Sequence, residues 1–293
     1  MYEIRPSLRG RARLNLPEVP PSSVWTRYAS RWRFVTAPLA PCAEDIALRE
    51  EAIARHFPGR RSLRALLLGV TPKLARKRWK PALNIVAVDN TMAMIRSVWP
   101  GNTARRHVVC GDWLELPLCD ASIDVALIDG GLPAVSFPSA HIALATELKR
   151  VLKVDGVFVA RIFARPESSE TLETVFAAAR DRKIGGFHAF KWRVAMSLQG
   201  DDTERGVRLD DIWRCCNRQF GEHARLQQLT GWPIEEISTI DAYRGNAASY
   251  HFPTIRELVE SFSGALTCVE QIQGTYELAE RCPILIFRRG SGE

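Results

Sequence analysis

Between residues 63 and 164 short apolar runs alternate with helix-forming stretches, and this alternation limits the possible folds more than any other feature. Strands buried on both faces read as continuous apolar runs, because helices cover both sides of a parallel sheet. We therefore predict an α/β domain. The predicted strands are LRALLLG (63–69), LNIVAVD (83–89), RHVVCGD (106–112), IDVALIDG (123–130) and GVFVARIFA (156–164).

The strand pattern returns near the C-terminus, where ALTCVEQIQ and CPILIFRR follow the predicted helix TIRELVESFSG. With the five earlier runs they predict a Rossmann-like, mostly parallel seven-stranded sheet with helices on both faces. KVDG (153–156) is predicted to be the turn that leads into the fifth strand.

Residues 185–253 interrupt this alternation with an aromatic-rich, mostly helical stretch in which no strand is apparent. A long insertion in an α/β sheet often covers the ligand site. We predict a helical lid inserted between strands five and six. The predicted parts are an N-terminal arm with helices over the site (1–58), a core (59–184 with 254–293) and the lid (185–253).

Composition excludes several classes of protein. No apolar run approaches the length of a membrane span, and the N-terminus lacks the apolar segment of a secretory signal. The seven cysteines are scattered without a C-x-x-C pair, and no histidine pair has metal-ligand spacing. We therefore expect a cytoplasmic protein with no metal site, no disulfide framework and no membrane partner; the oligomeric state does not follow.

The formal net charge of +7 raises the question of a nucleic-acid partner. Much of the excess positive charge lies in the first 33 residues. A basic N-terminal arm of this kind is more often a solvated tail than a nucleic-acid contact. No lysine tract or single-strand aromatic signature accompanies it, so the sequence disfavours nucleic acid without excluding it. The arginines concerned are Arg5, Arg9, Arg11, Arg13, Arg27, Arg31 and Arg33.

Four positions that can bind a ligand fall at the C-terminal ends of predicted strands: Gly69, Asp89, Asp112 and Asp129. In an open α/β sheet this edge is where ligands bind. A single acidic residue there is often only a helix cap. The ordered series is more informative, because it repeats the placement on four consecutive strands.

With these residues the chain resembles the class I S-adenosylmethionine-dependent methyltransferases over roughly residues 60–165, and 254–289 fits the ending of that family. GDWLELPL, IDVALIDGGL and ELKRVLKVDGVFVARIFA are especially similar. The resemblance implies S-adenosylmethionine as cofactor and S-adenosylhomocysteine as product, with Asp89 on the ribose and Asp112 beside Trp113 at the adenine. The full cofactor-binding set it implies is Gly69, Val70, Thr71, Pro72, Asp89, Asn90, Met92, Asp112, Trp113, Asp129, Gly130 and Gly131.

The loop LLLGVTPKL departs from the family pattern, because Leu67 stands where relatives have an acid and Thr71 where they have a second glycine. A dinucleotide needs several glycines so that backbone N–H groups can approach its pyrophosphate. S-adenosylmethionine has no phosphate. One turn at Gly69 can therefore suffice, while the ribose still requires Asp89.

The implied activity is in-line transfer of a methyl group to a small-molecule acceptor, such as a peptide-like compound or a secondary metabolite. A general base is needed only if the acceptor atom carries a proton. Weak candidates are Tyr28, His188, Tyr250 and His251, each of which is more often a packing side chain. The predicted substrate pocket consists of Trp25, Tyr28, Trp32, Phe187, Trp192 and Trp213.

Other activities stay open at this point. An RNA methyltransferase and a non-catalytic S-adenosylmethionine-binding scaffold are the alternatives. DGGLP replaces the Asn/Asp-Pro-Pro-aromatic segment of enzymes that methylate nucleobase amines, and no cysteine nucleophile lies nearby. An NAD(P)-dependent oxidoreductase is disfavoured, because G-x-G-x-x-G and Tyr-x-x-x-Lys are both missing.

Overall fold

The computed structural model describes residues 24–289. The predicted extended arm, residues 1–22 with Arg5, Arg9, Arg11 and Arg13, lies outside this range. Within it, no helix is both long enough and apolar enough to cross a membrane.

Helices and strands alternate through the first half of the described chain, and helices dominate between residues 172 and 262. In chain order the elements are α1 (Val24–Arg31), α2 (Ala43–His56), β1 (Ser62–Leu68), α3 (Pro72–Arg76), β2 (Ala82–Asp89), α4 (Met92–Val98), β3 (Arg106–Cys110), β4 (Ile123–Asp129), α5 (Ser139–Val151), β5 (Leu152–Arg161), α6 (Leu172–Arg180), α7 (Phe187–Gln199), β6 (Val207–Arg208), α8 (Leu209–Phe220), α9 (His223–Thr230), α10 (Ile234–Ser238), β7 (Ser249–Tyr250), α11 (Ile255–Phe262), β8 (Leu266–Ile272) and β9 (Ile284–Arg289).

Seven strands form one sheet in the order β3-β2-β1-β4-β5-β9-β8. The first five are parallel and the last two pair antiparallel, which confirms the predicted mostly parallel, Rossmann-like sheet. Strand order reverses between β1 and β4, so the loops that follow these strands diverge. A crevice opens at their carboxyl ends, the usual ligand position in such sheets.

The central strands are buried on both faces, as their continuous apolar runs predict. Leu66 and Ala126 pack beneath α5 and α11 on one face. Leu67 and Val125 pack on the other face against Ile53 of α2. None of these side chains is exposed by more than one percent. Burial on both faces fixes the strand ends, and therefore the crevice, in one register.

Residues 185–253 contain α7 to α10 and also the short antiparallel ribbon β6–β7, where Val207 pairs with Tyr250. The prediction that this stretch holds no strand was wrong, because two-residue strands are too short to show a two-residue period. The predicted turn KVDG was also wrong. The strand β5 already begins at Leu152, which pairs with Ile123 before an irregularity shifts the register to Val157 and Val125.

Candidate active site

A cavity of about 380 Å³ lies at the carboxyl ends of β1, β2 and β4. One end is polar and is formed by strand-end loops, and the other is aromatic. Its walls include Leu68, Gly69, Val70, Thr71, Asp89, Asn90, Thr91, Met94, Asp112, Trp113, Leu114, Asp129, Gly130 and Gly131 at the polar end and Trp25, Tyr28, Trp32, Val35, Leu39, Phe163, Trp192, Tyr243 and Tyr250 at the aromatic end.

Asp89 closes β2 with its carboxylate held in place by the backbone. Its Oδ1 accepts a hydrogen bond of 2.8 Å from the N–H of Thr91. Burial raises the pKa of Asp89 to about 6, and the hydrogen bonds from Thr91 oppose the rise only in part. Such a carboxylate gains from ligand donors, because they replace the water that burial removed.

Gly69 follows β1 with φ +89°, a conformation that side chains rarely adopt. Its N–H donates to the carbonyl of Val88 over 2.8 Å. A Cβ at Gly69 would lie 3.9 Å from Oδ2 of Asp89 and 3.6 Å from the Trp113 ring. Both distances are ordinary van der Waals contacts. Glycine is therefore needed at this position for the backbone conformation and not for lack of space. Pro72 does not line the cavity, since it is the first residue of α3 and the chain turns away there.

Trp113 packs across the floor of the polar end. Its Nε1 donates to the carbonyl of Val88 over 2.7 Å, which fixes the ring plane. A Cβ on Gly131 would approach the ring to 2.9 Å, so Gly131 leaves room for the indole. Asp112 is exposed beside it, and its Oδ1 accepts from the N–H of Leu114 over 3.0 Å.

The predicted contact at Met92 does not occur at this cavity, since Met92 opens α4 and its side chain is 40% exposed. Met94 lines the cavity instead. Two residues along a helix are turned about 200° apart, so they point to opposite sides.

Asp129 lines the cavity, but its charge is compensated by two buried arginines. Oδ1 accepts from Nε of Arg161 over 2.7 Å and also from Arg49. Burial alone would raise the pKa of Asp129, and the charges and hydrogen bonds of Arg161 and Arg49 outweigh it and lower that pKa. Sequence reasoning missed both arginines. The available signal was a cation inside the apolar run of β5, level with the acid that ends β4.

Four of the six predicted pocket aromatics reach the cavity: Trp25, Tyr28, Trp32 and Trp192. The other two belong to the interior and surface of the insertion. Phe187 is fully buried against Phe190 and Trp232. Trp213 bonds to Asp241 and stacks under Arg244. Helical spacing shows that rings share a face, but it does not show which face meets the cavity.

Two of the four candidate bases, Tyr28 and Tyr250, line the cavity. The two histidines do not. His188 is buried 3.0 Å from the carbonyl of Phe34, and burial lowers its pKa to about 3. His251 is buried too, with Nδ1 2.9 Å from the carbonyl of Thr203. A backbone carbonyl fixes each ring in the protein interior, away from the cavity.

Behind Tyr28 lies a residue that sequence reasoning missed. Lys191 on α7 is fully buried and its Nζ donates to the Tyr28 hydroxyl over 2.8 Å. Burial lowers the pKa of Lys191 to about 7. A lysine within the aromatic run FHAFKWRVAM was the only available signal.

The geometry is that of an open α/β sheet with a cavity of about 380 Å³ at its switch point and a partly buried acid closing β2. Residues 68–160, less than half of the chain, match the family model described as "Methyltransferase domain". A search of curated protein sequences finds no match.

Solved structures share the fold at low identity, which shows the fold alone. A Rhodobacter sphaeroides protein named among Zn-dependent alcohol dehydrogenases has 10% identity and a TM-score of 0.57, with 90% of this chain and 98% of that chain covered. The PH0226 protein of Pyrococcus horikoshii has 13% identity and a TM-score of 0.51, with 88% of this chain and 98% of that chain covered. The 1,6-didemethyltoxoflavin-N1-methyltransferase of Burkholderia thailandensis, solved with S-adenosylhomocysteine, has 15% identity and a TM-score of 0.48, with 95% of this chain and 94% of that chain covered.

The family match places a methyltransferase domain at residues 68–160, and the sheet has the Rossmann-like form that the resemblance to class I S-adenosylmethionine-dependent methyltransferases implies.

Proposed function

We propose that this protein is an S-adenosylmethionine-dependent methyltransferase that methylates a small molecule held at the aromatic end of the cavity, with the cofactor at the polar end. The observation that carries the proposal is the continuity of the two ends within one cavity of about 380 Å³. Methyl transfer needs a nucleophile in line with the sulfonium carbon and water excluded from between them. A shared cavity with a polar and an aromatic end suits that requirement.

In this proposal Asp89 binds the ribose hydroxyls. Its Oδ1 accepts the hydrogen bond from the N–H of Thr91, and its Oδ2 is assigned to the ribose. Asp112 and Trp113 hold the adenine. Gly69 and its successors Val70 and Thr71 hold the methionine part with backbone groups. Asn90, Gly130 and Gly131 complete the walls.

The acceptor end suits an aromatic compound. Trp25, Trp32 and Trp192 offer ring faces for stacking. Asp129, which lines the same cavity, is already paired with Arg161 and Arg49. Within the described residues, the aromatic end therefore presents no unpaired carboxylate to an ammonium group.

We assign the role of lid to α1 and to residues 185–253. Tyr28 of α1 stacks on Tyr243 of the insertion with ring centroids 6.0 Å apart, and both line the cavity. Arg31 donates to the carbonyl of Ser238, which ties the end of α1 to the insertion. Joined in this way, the two segments enclose the acceptor from one side and exclude water during transfer.

Calorimetric titration with S-adenosylhomocysteine tests the cofactor half of the proposal. Asp89→Asn is expected to weaken binding by about 1–3 kcal/mol, the scale of a lost charged hydrogen bond. Asp155→Asn is the matched control, because Asp155 is an exposed carboxylate on β5 and does not line the cavity. Equal affinities for wild type and Asp89→Asn would refute the assignment of Asp89.

Transfer of a radiolabelled methyl group tests the acceptor half. Wild-type enzyme with labelled S-adenosylmethionine is incubated separately with a low-molecular-weight cell extract, with total RNA and with extract protein. We expect label in the small-molecule fraction, and less of it with Asp89→Asn. Label in RNA or protein alone would overturn the small-molecule proposal and support a macromolecular acceptor.

A further inference from the structure

We propose that Tyr28, positioned by Lys191, removes a proton from a hydroxyl group of the acceptor, so that the acceptor is a phenol-type compound that becomes an O-methyl ether. The inference rests on the proposed function and names the substrate class of the same cavity. Tyr28 is the catalytic residue in this scheme, because it lines the cavity. Lys191 is a positioning residue that acts through Tyr28.

Lys191 and Tyr28 are joined by a hydrogen bond between their side chains and not by a salt bridge. Lys191 Nζ lies 2.8 Å from the Tyr28 oxygen, and neither side chain is more than 4% exposed. Within residues 24–289, no carboxylate forms an ion pair with Lys191. A buried lysine without a counter-charge is uncommon, because an isolated ammonium is costly to bury.

Aromatic rings surround the amine in place of an anion. Its nitrogen lies 5.0 to 5.8 Å from the ring centroids of Tyr28, Phe187, Trp192 and Tyr243. Ring faces attract a cation but replace lost hydration only in part. The amine can therefore hold a proton transiently and is also stable without one.

The titratable groups that face Lys191 come from three other directions as well as its own helix. They are Tyr28 of α1, Tyr243 of the segment Thr239–Tyr243, Cys216 of α8, and His188 of α7. Burial raises the pKa of Tyr28, Tyr243 and Cys216, so these three are uncharged at neutral pH. With the pKa of Lys191 lowered to about 7 by burial, its amine is the proton acceptor of the cluster near neutral pH.

Two further polar atoms at the aromatic end lack partners. Nε1 of Trp192 and the hydroxyl of Tyr243 are buried, and neither completes a hydrogen bond within the described part of the chain. Tyr243 has the hydroxyls of Tyr28 and Tyr250 as neighbouring groups. Buried polar atoms are normally satisfied, so a ligand group is expected to pair with Nε1 of Trp192.

The indole N–H of Trp192 restricts the chemistry of that ligand group, because it can only donate. A hydroxyl oxygen has two lone pairs, so it can accept from Trp192 with one and attack with the other. An amine nitrogen has a single lone pair and would lose its nucleophilicity on accepting that bond. The arrangement therefore favours oxygen over nitrogen as the methylated atom.

The step balances without another reactant. The acceptor oxygen forms a bond to the methyl carbon as the carbon–sulfur bond breaks, and the bonding pair stays on sulfur. The acceptor proton passes to the Tyr28 oxygen while the Tyr28 proton passes to the lone pair of neutral Lys191, which thereby accepts in the hydrogen bond that its protonated form donates. The products are a methyl ether, S-adenosylhomocysteine and a protonated Lys191, which returns its proton to solvent when the cavity reopens.

Two small compounds test this with the protein saturated with S-adenosylhomocysteine. 4-Nitrophenol reports its own ionisation by a change in its absorption of visible light, and 4-nitroanisole has the same ring but no proton to lose. We expect the bound phenol to ionise at a pH at least one unit below that of the free phenol, a tenfold change in its ionisation constant. Binding of both compounds is followed by quenching of tryptophan fluorescence.

Lys191→Met and Tyr28→Phe are expected to abolish the ionisation shift while 4-nitroanisole still binds. Met replaces the buried amine with an apolar chain of similar length, and Phe removes one oxygen, so the two changes perturb packing differently. Thermal melting checks that both variants fold. Lys183→Met is the matched control, because Lys183 is 72% exposed, and it should keep the full shift.

Three outcomes would overturn the inference: 4-nitrophenol bound in neutral form by the wild type, an unchanged shift in both variants, or no binding of either compound to the cofactor-loaded protein. Failure of S-adenosylhomocysteine to bind at all would instead refute the proposed function. The calorimetric measurement therefore separates the two.

Discussion

Arg161 donates its Nε hydrogen to Oδ1 of Asp129 over 2.7 Å, and neither side chain is more than 2% exposed. The pair joins the ends of β4 and β5 beneath the cavity. Arg161 also donates to the carbonyl of Pro38 over 2.6 Å, which ties the segment after α1 to the sheet. One buried guanidinium thus connects the floor of the cavity to the chain that covers it.

Arg161→Leu is expected to lower the free energy of unfolding by about 3–5 kcal/mol, because it leaves Asp129 with a single buried counter-charge. Urea denaturation at pH 7 measures the change. Lys183→Met breaks a salt bridge of 3.0 Å between exposed side chains, and should cost less than about 1 kcal/mol. A loss for Arg161→Leu no larger than that of the control would contradict the argument.

Cofactor binding is expected to weaken in acid because of Asp89. Burial raises its pKa to about 6, so the free protein holds a neutral carboxyl below that pH. A neutral carboxyl cannot accept both ribose hydroxyls as a carboxylate does. The affinity for S-adenosylhomocysteine should therefore be constant above pH 7 and fall about tenfold for each unit below 6.

The pH series is measured by calorimetry between pH 5 and 8, with Asp89→Asn in parallel. The amide does not titrate, so its weaker binding should show no step near pH 6. A step of equal size in the variant would assign the pH dependence to another group.

Gly130 cannot carry a side chain for two separable reasons. It has φ +66°, and a Cβ would lie 2.3 Å from the ring of Phe163. Gly245 has φ +67° with nothing within 4 Å of the same position. Gly245→Ala should therefore cost about 1–2 kcal/mol for the left-handed backbone alone.

Gly130→Ala should cost about 1–3 kcal/mol more than Gly245→Ala, the usual price of overpacking. Phe163 lines the cavity, so Gly130→Ala should also weaken S-adenosylhomocysteine binding. Thermal and urea denaturation of both variants give the comparison. Equal costs would mean that the Phe163 ring moves aside freely.

The seven-stranded sheet could be predicted from the sequence because its central strands are buried on both faces. Each strand is then a continuous apolar run, and the residue after it falls at the sheet edge. Gly69 and Asp89 follow from that rule alone. The start of β5 and the ribbon β6–β7 could not be predicted, because their pairing involves few residues and depends on distant partners.

The aromatic end of the cavity was only partly predictable. The rings of α1 are local in sequence and were predicted as a group. Lys191 and Tyr243 are 52 residues apart, and only the packing of α7 against the segment Thr239–Tyr243 brings them together. His188 has the chemistry of a base, but its burial against the carbonyl of Phe34 is invisible in the sequence.

Lys191 should make stability rise with pH above neutrality. Its folded pKa is lowered to about 7 against 10.5 for an ordinary lysine. Between those values the unfolded chain binds a proton that the folded protein does not, so the free energy of unfolding increases as the pH rises. Below about 7 both states are protonated and the penalty for the buried charge is constant.

Lys191→Met removes this penalty, so the variant should exceed the wild type in stability by most at pH 7 and by least at pH 10. Urea denaturation at pH 7, 8, 9 and 10 measures the difference. Lys183→Met, at an exposed lysine, should show no such trend. A difference that stays constant with pH would mean that Lys191 keeps its proton when folded.

The last prediction concerns the attachment of the insertion to the core. Arg165, which follows β5, bonds to Thr203 of the insertion over 3.3 Å and to Glu257 of α11 over 3.0 Å. Thr203 donates in turn to Glu257 over 3.1 Å.

Arg165→Ala is expected to leave Thr203 and Glu257 without their shared cation and to loosen residues 200–206 and 249–252, because β6 and β7 pair next to this contact. Hydrogen exchange should become faster in those two stretches and stay unchanged in α5, whereas Arg256→Ala, at an exposed arginine 3.5 Å from Glu167, should alter neither. Faster exchange throughout the sheet would show instead that Arg165 supports global stability and that the insertion has no independent opening.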